Sequence, residues 1–234
     1  MQIFFTENFE KENVYIEGEE YRHLIKVLRK RQGDRIHVMN GKGSIFQCLI
    51  THVGEQKVFS IIEQETIYPP MPYTLRIGIS PTKNPSRFEW FLEKSVEIGI
   101  SEIFPIISDR TEKFRIKTDR CIQILRSAMK QSMNPWQPVF HSPQNLKTLL
   151  NLPFDGIKWM AHETAEIAVT SLTLPYKEVF VLIGPEGGFT PEETELAQRN
   201  SWVTVHLGQN RLRTETAGVA VCQIIKTMYD INYI

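Results

Sequence analysis

Apolar residues are spaced in two distinct ways along this chain. In the first part they form short, partly alternating runs, Ile36–Met39, Ser44–Val53 and Val58–Gln64. That is the pattern of strands that bury one face. "NGKG" (Asn40–Gly43) separates the first two runs, and its Asn-Gly pair signals a hairpin. Tyr21, Leu24, Ile25 and Leu28 recur at i, i+3, i+4 and i+7, which predicts one helix over Glu19–Lys30. Further on, the spacing switches between two periods. Strands are predicted at Leu75–Ser80, Glu102–Ile107, Ile157–Ala161, Val179–Ile183 and Trp202–Leu207. Between and after them come helices at Arg87–Ile98, closed by Gly99, and at Asp119–Ser132, Pro191–Arg199 and Glu215–Tyr229. Strands alternating with helices predict an α/β domain on a parallel sheet. Three prolines within four residues of "YPPMPY" (Tyr68–Tyr73) read as a stiff linker. The expected organisation is a small, mostly β barrel-like domain over 1–68, a linker over 69–73 and an α/β domain over 74–234.

Composition narrows the class without adding chemistry. A chain of 234 residues with 41% apolar and 23% charged content is ordinary globular material. The three cysteines, Cys48, Cys121 and Cys222, are far apart and form no CxxC pair. This suggests a reducing compartment and argues against structural zinc, so no metal is expected. "MQIFFTENFE" lacks a basic stretch followed by an apolar run, and no apolar segment reaches 18 residues. Neither a signal peptide nor a membrane span is expected, and the location expected is cytoplasmic.

Charge changes the picture locally. The 27 basic and 27 acidic residues cancel, yet residues 22–35, "RHLIKVLRKRQGDR", hold six Lys/Arg and one Asp. On a regular helix Arg22, Lys26, Arg29 and Lys30 share a face separate from the apolar stripe. Such a face is either an idle solvated surface or, because no acids pair with it, a ridge that meets phosphates.

Two glycine-bearing loops carry the candidate chemistry. In "LIGPEGGFTPEE" the buried strand Val179–Ile183 runs into Gly184, Pro185, Glu186, Gly187 and Gly188. Thr190, Pro191 and Glu193 then form a capping box with proline at the first helical position. In "VTVHLGQNRLRTETAGVAV" a strand leads through Gly208, Arg211 and Arg213 into a helix that begins near Thr214-Glu215. A strand, a glycine loop and a capped helix place a ligand crevice at a strand's carboxyl end. No GxGxxG and no GxxxxGK[ST] is present, which argues against dinucleotide and P-loop sites. The cysteines lie in apolar patterns, so a thiolate nucleophile is not expected. His162 and Glu163 follow a strand and either reach the same pocket or sit on the surface.

"IGPEGGFTPEE" and "LGQNRLRTETA", at this separation, closely resemble the cofactor-binding motifs of SPOUT-class RNA methyltransferases. With "HLIKVLRKRQGD" (His23–Asp34) and "RFEWFLEKSVEIGISEIFPI" (Arg87–Ile106), nearly the whole chain resembles the RsmE family of 16S ribosomal RNA uracil-N3 methyltransferases. The resemblance implies a C-terminal α/β trefoil-knot (SPOUT) domain, an N-terminal PUA-like β-barrel and a homodimer. It also implies S-adenosylmethionine as cofactor and 16S rRNA of the small ribosomal subunit as partner. Cofactor contacts implied by the motifs are Ile183, Gly184, Pro185, Glu186, Gly187 and Gly188 in one loop. The second loop contributes Leu207, Gly208, Leu212, Arg213, Thr214 and Ala217, and His162 and Glu163 complete the pocket. Arg211 and Arg213 are candidate cations for charge developing on uracil, and Glu186 or Glu215 a candidate proton acceptor. Arg22, His23, Lys26, Arg29 and Lys30 are candidate RNA contacts. The chain departs from the family pattern at Gln2 and in "AMKQSMN", where Lys130 and Asn134 replace an acid and an arginine. An inactive RNA- or ribosome-binding protein on the same fold is the alternative these departures suggest.

Overall fold

A computed structural model describes the backbone of residues 2–173 and 177–233. The chain divides into two units, Met1–Pro70 with Arg126–Gln137, and Met71–Leu125 with Pro138–Ile234. Tyr68 to Tyr73 has no regular secondary structure, and the division falls at Pro70/Met71. The first unit therefore draws on a stretch that lies far along the chain.

The first unit is a six-stranded sheet. Its strands are β1 (Ile3–Phe5), β2 (Phe9–Glu10), β3 (Asn13–Glu17), β4 (Arg35–Met39), β5 (Ser44–Val53) and β6 (Lys57–Ile67), ordered β1-β4-β5-β6-β3-β2. Only β1 against β4 is parallel. Inward residues from one end of the sheet to the other share a core: Phe4, Val14, Ile16, Ile36, Val38, Cys48, Ile50 and Val58. For β1 and β3 to meet in one core the sheet must curl. Two register shifts in the long β5–β6 pair supply that bend. "NGKG" is the β4–β5 turn, as its glycines predict. Gly43 has φ +96, and a Cβ there would collide with the Trp136 indole, whose segment also hydrogen-bonds back through Gly43 N to Pro135 O at 3.0 Å. Arg126, Lys130 and Trp136 reach Glu7, Glu20 and Pro69 O, and these bonds tie residues 126–137 into the unit.

The helix predicted over Glu19–Lys30 is shorter and wider than expected. It comprises α1 (Gly18–Arg22) and a π-type turn over His23–Val27, where Leu28 N bonds His23 O at 3.1 Å. Leu24 is fully buried, with Tyr21, Ile25 and Leu28 packed around it, so the apolar stripe does cap the core. Arg29 takes a left-handed φ of +54 and ends the helix. Arg22 and Lys26 are exposed on it, whereas Arg29 and Lys30 lie on the loop beyond. The single 100°-per-residue face is therefore divided at the π turn.

The second unit is a parallel α/β sheet. Its strands are β7 (Thr74–Ile79), β8 (Glu102–Ile107), β9 (Val139–Phe140), β10 (Gln144–Asn145), β11 (Ile157–Ala161), β12 (Glu178–Ile183) and β13 (Val203–Val205). The order is β10-β8-β7-β12-β11-β13, with β9 also beside β8. Helices are α2 (Pro85–Ile98), α4 (Leu146–Leu150), α5 (Pro191–Arg199), α6 (Thr214–Tyr233) and the first part of α3 (Thr118–Ser132), whose residues from Arg126 on belong to the first unit. The central strand β12 is buried on both faces over Val179–Ile183, which explains its unbroken apolar run, whereas neighbouring β7 carries the half-buried Arg76, paired with Glu102 and Glu178. One face carries Phe104, Ile106, Leu182, Phe180 and Trp202 with α4 and α5. On the other face α2 and α6 approach so closely that a Cβ on Gly218 would lie 2.6 Å from Phe91. Trp202–Leu207 contracts to Val203–Val205, because β13 is an edge strand and pairs only with β11 over those three residues. All strands being parallel, their carboxyl ends and the loops that follow them lie at one edge.

Candidate active site

At that edge the loops after β11, β12 and β13 enclose a cavity of about 1080 Å³. His162, Glu163, Ile183, Gly184, Pro185, Glu186, Gly187, Gly188, Leu207, Gly208, Leu212, Arg213, Thr214 and Ala217 all line it, and so does Arg211. The local sequence sets this up. β12 ends at Ile183, and Pro185 to Gly188 makes a turn closed by Gly188 N to Pro185 O at 2.8 Å. Gly188 holds a left-handed φ of +69 with nothing within 4 Å of where a Cβ would be. In the other loop Gly208 does the same at φ +137. Both positions therefore present bare backbone to open space, a cradle that any side chain would fill.

Hydrogen bonds lock the two loops together. Thr214 Oγ1 donates to Gly184 O at 2.9 Å, and Arg211 Nη2 donates to Glu186 O at 3.2 Å. Arg211 Nε also pairs with Glu163 Oε2 at 3.2 Å. Exposure of both partners makes that ion pair energetically minor, but it fixes where the guanidinium sits. Leu207 and Leu212 keep main-chain amides and carbonyls that make no hydrogen bond among the described residues. Such groups at a cavity wall suit the polar edges of a ligand.

Arg110 and Glu193 give the glycine loop a second support that the sequence did not reveal. Arg110 Nη1 donates to Gly187 O at 2.8 Å and to Phe189 O at 3.5 Å. Glu193, 3% exposed, completes the predicted capping box and also accepts from Asp109 N at 2.8 Å. The capping spacing was legible in the sequence. The partner from the β8–α3 loop was not, because nothing in the chain order links residue 109 to residue 193.

The cations of the cavity wall differ in availability. Arg87 pairs with Glu215 at 3.8 Å, Arg110 holds the Gly187 carbonyl, and Arg211 holds Glu163 and Glu186 O. The Arg213 side chain makes no hydrogen bond or ion pair among the described residues. The acids also separate. Glu186 lines the cavity with its carboxylate unpaired among the described residues. Glu215 does not line it: the side chain is 7% exposed and sits against Arg87, with Oε2 lacking a hydrogen-bond partner. Arg22, His23, Lys26, Arg29 and Lys30 lie outside this cavity, in the first unit. Burial pushes the Cys121 thiol up to about 11 and Cys48 up to about 12, and raises Cys222 as well. None of the three is a thiolate nucleophile. Among the described residues no group of three or more His, Cys, Asp or Glu is placed to hold a metal. No described helix is long and apolar enough to cross a membrane.

Residues 69–226 match the RNA methyltransferase domain family, and residues 16–63 match the RNA methyltransferase PUA domain. A probable rRNA-methyltransferase from Porphyromonas gingivalis superposes with a TM-score of 0.90 at 33% identity, over 99% of each chain. A ribosomal RNA small subunit methyltransferase E from Neisseria gonorrhoeae, bound to S-adenosylmethionine, superposes with a TM-score of 0.88 at 27% identity, over 97% of this chain and 98% of its own. The Buchnera aphidicola protein of that name is 27% identical, over 97% of this chain and 93% of its own.

Proposed function

The chain belongs to the RNA methyltransferase domain family, and from that premise we propose that it methylates N3 of a uridine in 16S ribosomal RNA with S-adenosylmethionine as donor. The observation that carries this reading is the shared cavity, whose wall is lined by the bare backbone of Gly188 and Gly208 and by the unpaired Arg213. When bound, S-adenosylmethionine supplies an electrophilic methyl group on a sulfonium. Gly184 to Gly188, Leu207, Gly208 and Leu212 hold its adenine and ribose edges with main-chain groups, and His162, Glu163, Ile183, Thr214 and Ala217 complete the wall.

The chain's own groups supply the rest. A uridine N3 carries a proton and attacks poorly until it is lost. Glu186, with its free carboxylate on the cavity wall, takes that proton. Glu215 is turned away against Arg87 and instead keeps that arginine in place. Arg213 meets the negative charge that spreads onto the uracil oxygens as N3 is deprotonated. Arg211 positions Glu163 and the Glu186 backbone. The target base must be unpaired or flipped, because N3 lies on its Watson–Crick edge. Arg22, His23, Lys26, Arg29 and Lys30 contact RNA phosphates from the first unit.

Lys130 and Asn134, the departures that suggested an inactive binder, have local structural partners. Lys130 pairs with Glu20, and Asn134 Oδ1 accepts from Trp136 N at 3.1 Å. Neither lines the cavity, so neither disables it. The test is primer extension on undermodified small subunits incubated with the protein and labelled S-adenosylmethionine. A methyl at N3 blocks pairing and stops the polymerase at one uridine. Cofactor binding in calorimetry without any stop establishes the inactive binder instead. The protein acts in the cytoplasm as a homodimer, and sedimentation equilibrium is expected to give twice the 27.2 kDa chain mass. A monomer throughout the micromolar range rejects that state.

A further inference from the structure

Because the whole chain carries no net charge, attraction to a polyanion has to come from local cations that no acid neutralises. One such group lies on the loop between β8 and α3. The root of this loop is fixed beside the cavity. Ser108 N donates to Thr111 Oγ1 at 2.9 Å, Asp109 N donates to Glu193, and Arg110 reaches the Gly187 carbonyl. The loop then reads Glu112-Lys113-Phe114-Arg115-Ile116-Lys117 before α3 starts at Thr118.

Exposure alternates along it. Lys113, Arg115 and Lys117 are exposed, while Phe114 and Ile116 are half-buried. The apolar pair holds the segment down and leaves every second side chain, each a cation, in water. Glu112 is engaged with Lys83 at 3.0 Å and Glu89 with Arg120 at 3.1 Å, and Asp119 stands in the first turn of α3, beyond the row of three cations. The side chains of Lys113, Arg115 and Lys117 have no ion-pair or hydrogen-bond partner among the described residues, and the Lys117 carbonyl accepts only the helix-start bond from Cys121 N. Chain geometry keeps the Lys113 backbone within about 11 Å of Arg110, which lines the cavity. A solvated helix face usually intersperses both signs of charge, and this row shows one sign only.

We infer that Lys113, Arg115 and Lys117 grip the phosphates of single-stranded RNA flanking the target base. This contact belongs to the methyltransferase unit and is additional to the cations around the π turn. It rests on the reading of the chain as an RNA methyltransferase. Single-stranded RNA is the occupant because the base entering the cavity has to leave any duplex.

The experiment compares the full-length protein with the K113Q/R115Q/K117Q variant. Binding of a fluorescein-labelled oligouridine is followed by anisotropy over a range of salt, and S-adenosylmethionine affinity by calorimetry. Each lost single-strand phosphate contact flattens the log–log salt slope by about 0.7, so the triple change is expected to flatten it by about 2. Cofactor affinity is expected to stay within about twofold, because none of the three lines the cavity. An unchanged slope overturns the inference. So does a loss confined to whole small subunits with oligouridine binding intact, which makes the segment a contact for a ribosomal protein. A wild-type protein that binds oligouridine in a salt-dependent way yet methylates no subunit overturns the functional reading alone, and the slope still judges the segment. A wild-type protein that binds no RNA overturns both.

Discussion

Replacing Arg213 by alanine is expected to slow methyl transfer by ~10²–10³-fold, while S-adenosylmethionine binds within about threefold of its wild-type affinity. The size follows from the role. A donor aimed at charge that develops only in the transition state is worth ~3–4 kcal/mol, and its loss appears in kcat. The specificity of the effect follows from the neighbours. Arg87, Arg110 and Arg211 are already committed to Glu215, Gly187 O and the Glu163–Glu186 region. Arg213 has no such partner among the described residues, so it is available to an incoming anion. Arg211→Ala should show the opposite split. It removes a brace between two loops, so the cofactor's KM rises more than kcat falls. Arg213→Lys keeps the charge but loses the planar two-pronged donor, and is expected to recover only part of the rate. Single-turnover transfer to undermodified subunits over a range of cofactor concentrations, up to saturation, measures all three. If Arg213→Ala leaves the rate within threefold, the charge-stabilising role belongs to another group.

How much of this could be read from the chain depends on whether a feature is local. β8, β11, α5 and the β4–β5 turn follow directly from apolar period, capping residues and Asn-Gly, all short-range signals. The twelve wall residues implied by the two glycine motifs all line one cavity, because each motif encodes its own turn and helix start, and His162 and Glu163 after β11 line it too. What failed to show was set by distant partners. The π turn at His23–Val27 has no marker in an apolar stripe that suits an ordinary helix equally well. The short strands β1, β2, β9 and β10 have only two or three residues each, too few to register a period. Residues 126–137 read as part of the α/β region, with 126–132 as the end of a helix. Their place in the first unit comes from Arg126, Lys130 and Trp136 meeting Glu7, Glu20 and Pro69. Glu215 appeared accessible at a helix start, but its burial against Arg87 depends on the packing of α2 on α6.

The glycine loop should be as sensitive to its support as to its own residues, and Glu193 tests this. Its two oxygens accept from Asp109 N at 2.8 Å and Thr190 N at 2.9 Å, in a site only 3% exposed. Hydrogen bonds to a charged group contribute ~1.5–3 kcal/mol each, and a buried donor left without its acceptor adds to the cost of losing them. Glu193→Ala is therefore expected to destabilise the protein by about 3–5 kcal/mol, a large part of a typical total of ~5–15 kcal/mol. In thermal unfolding this corresponds to a fall in Tm of roughly 10 °C. Glu193→Gln should recover no more than half. One side-chain atom stays an acceptor, but the new NH2 faces a backbone N–H, so donor meets donor. Thr190→Ala removes the acceptor for Glu193 N at 3.2 Å and the hydroxyl beside the exposed Glu192 carboxylate, and should cost about 1 kcal/mol. The functional consequence separates this account from an ordinary capping effect. Because Asp109 begins the loop whose Arg110 holds the Gly187 carbonyl, losing Glu193 loosens the cradle from both sides. Cofactor affinity should fall in Glu193→Ala well below the conditions of unfolding, whereas Thr190→Ala leaves it nearly unchanged. Equal cofactor affinity in the two variants at 25 °C would mean that Glu193 serves the helix alone.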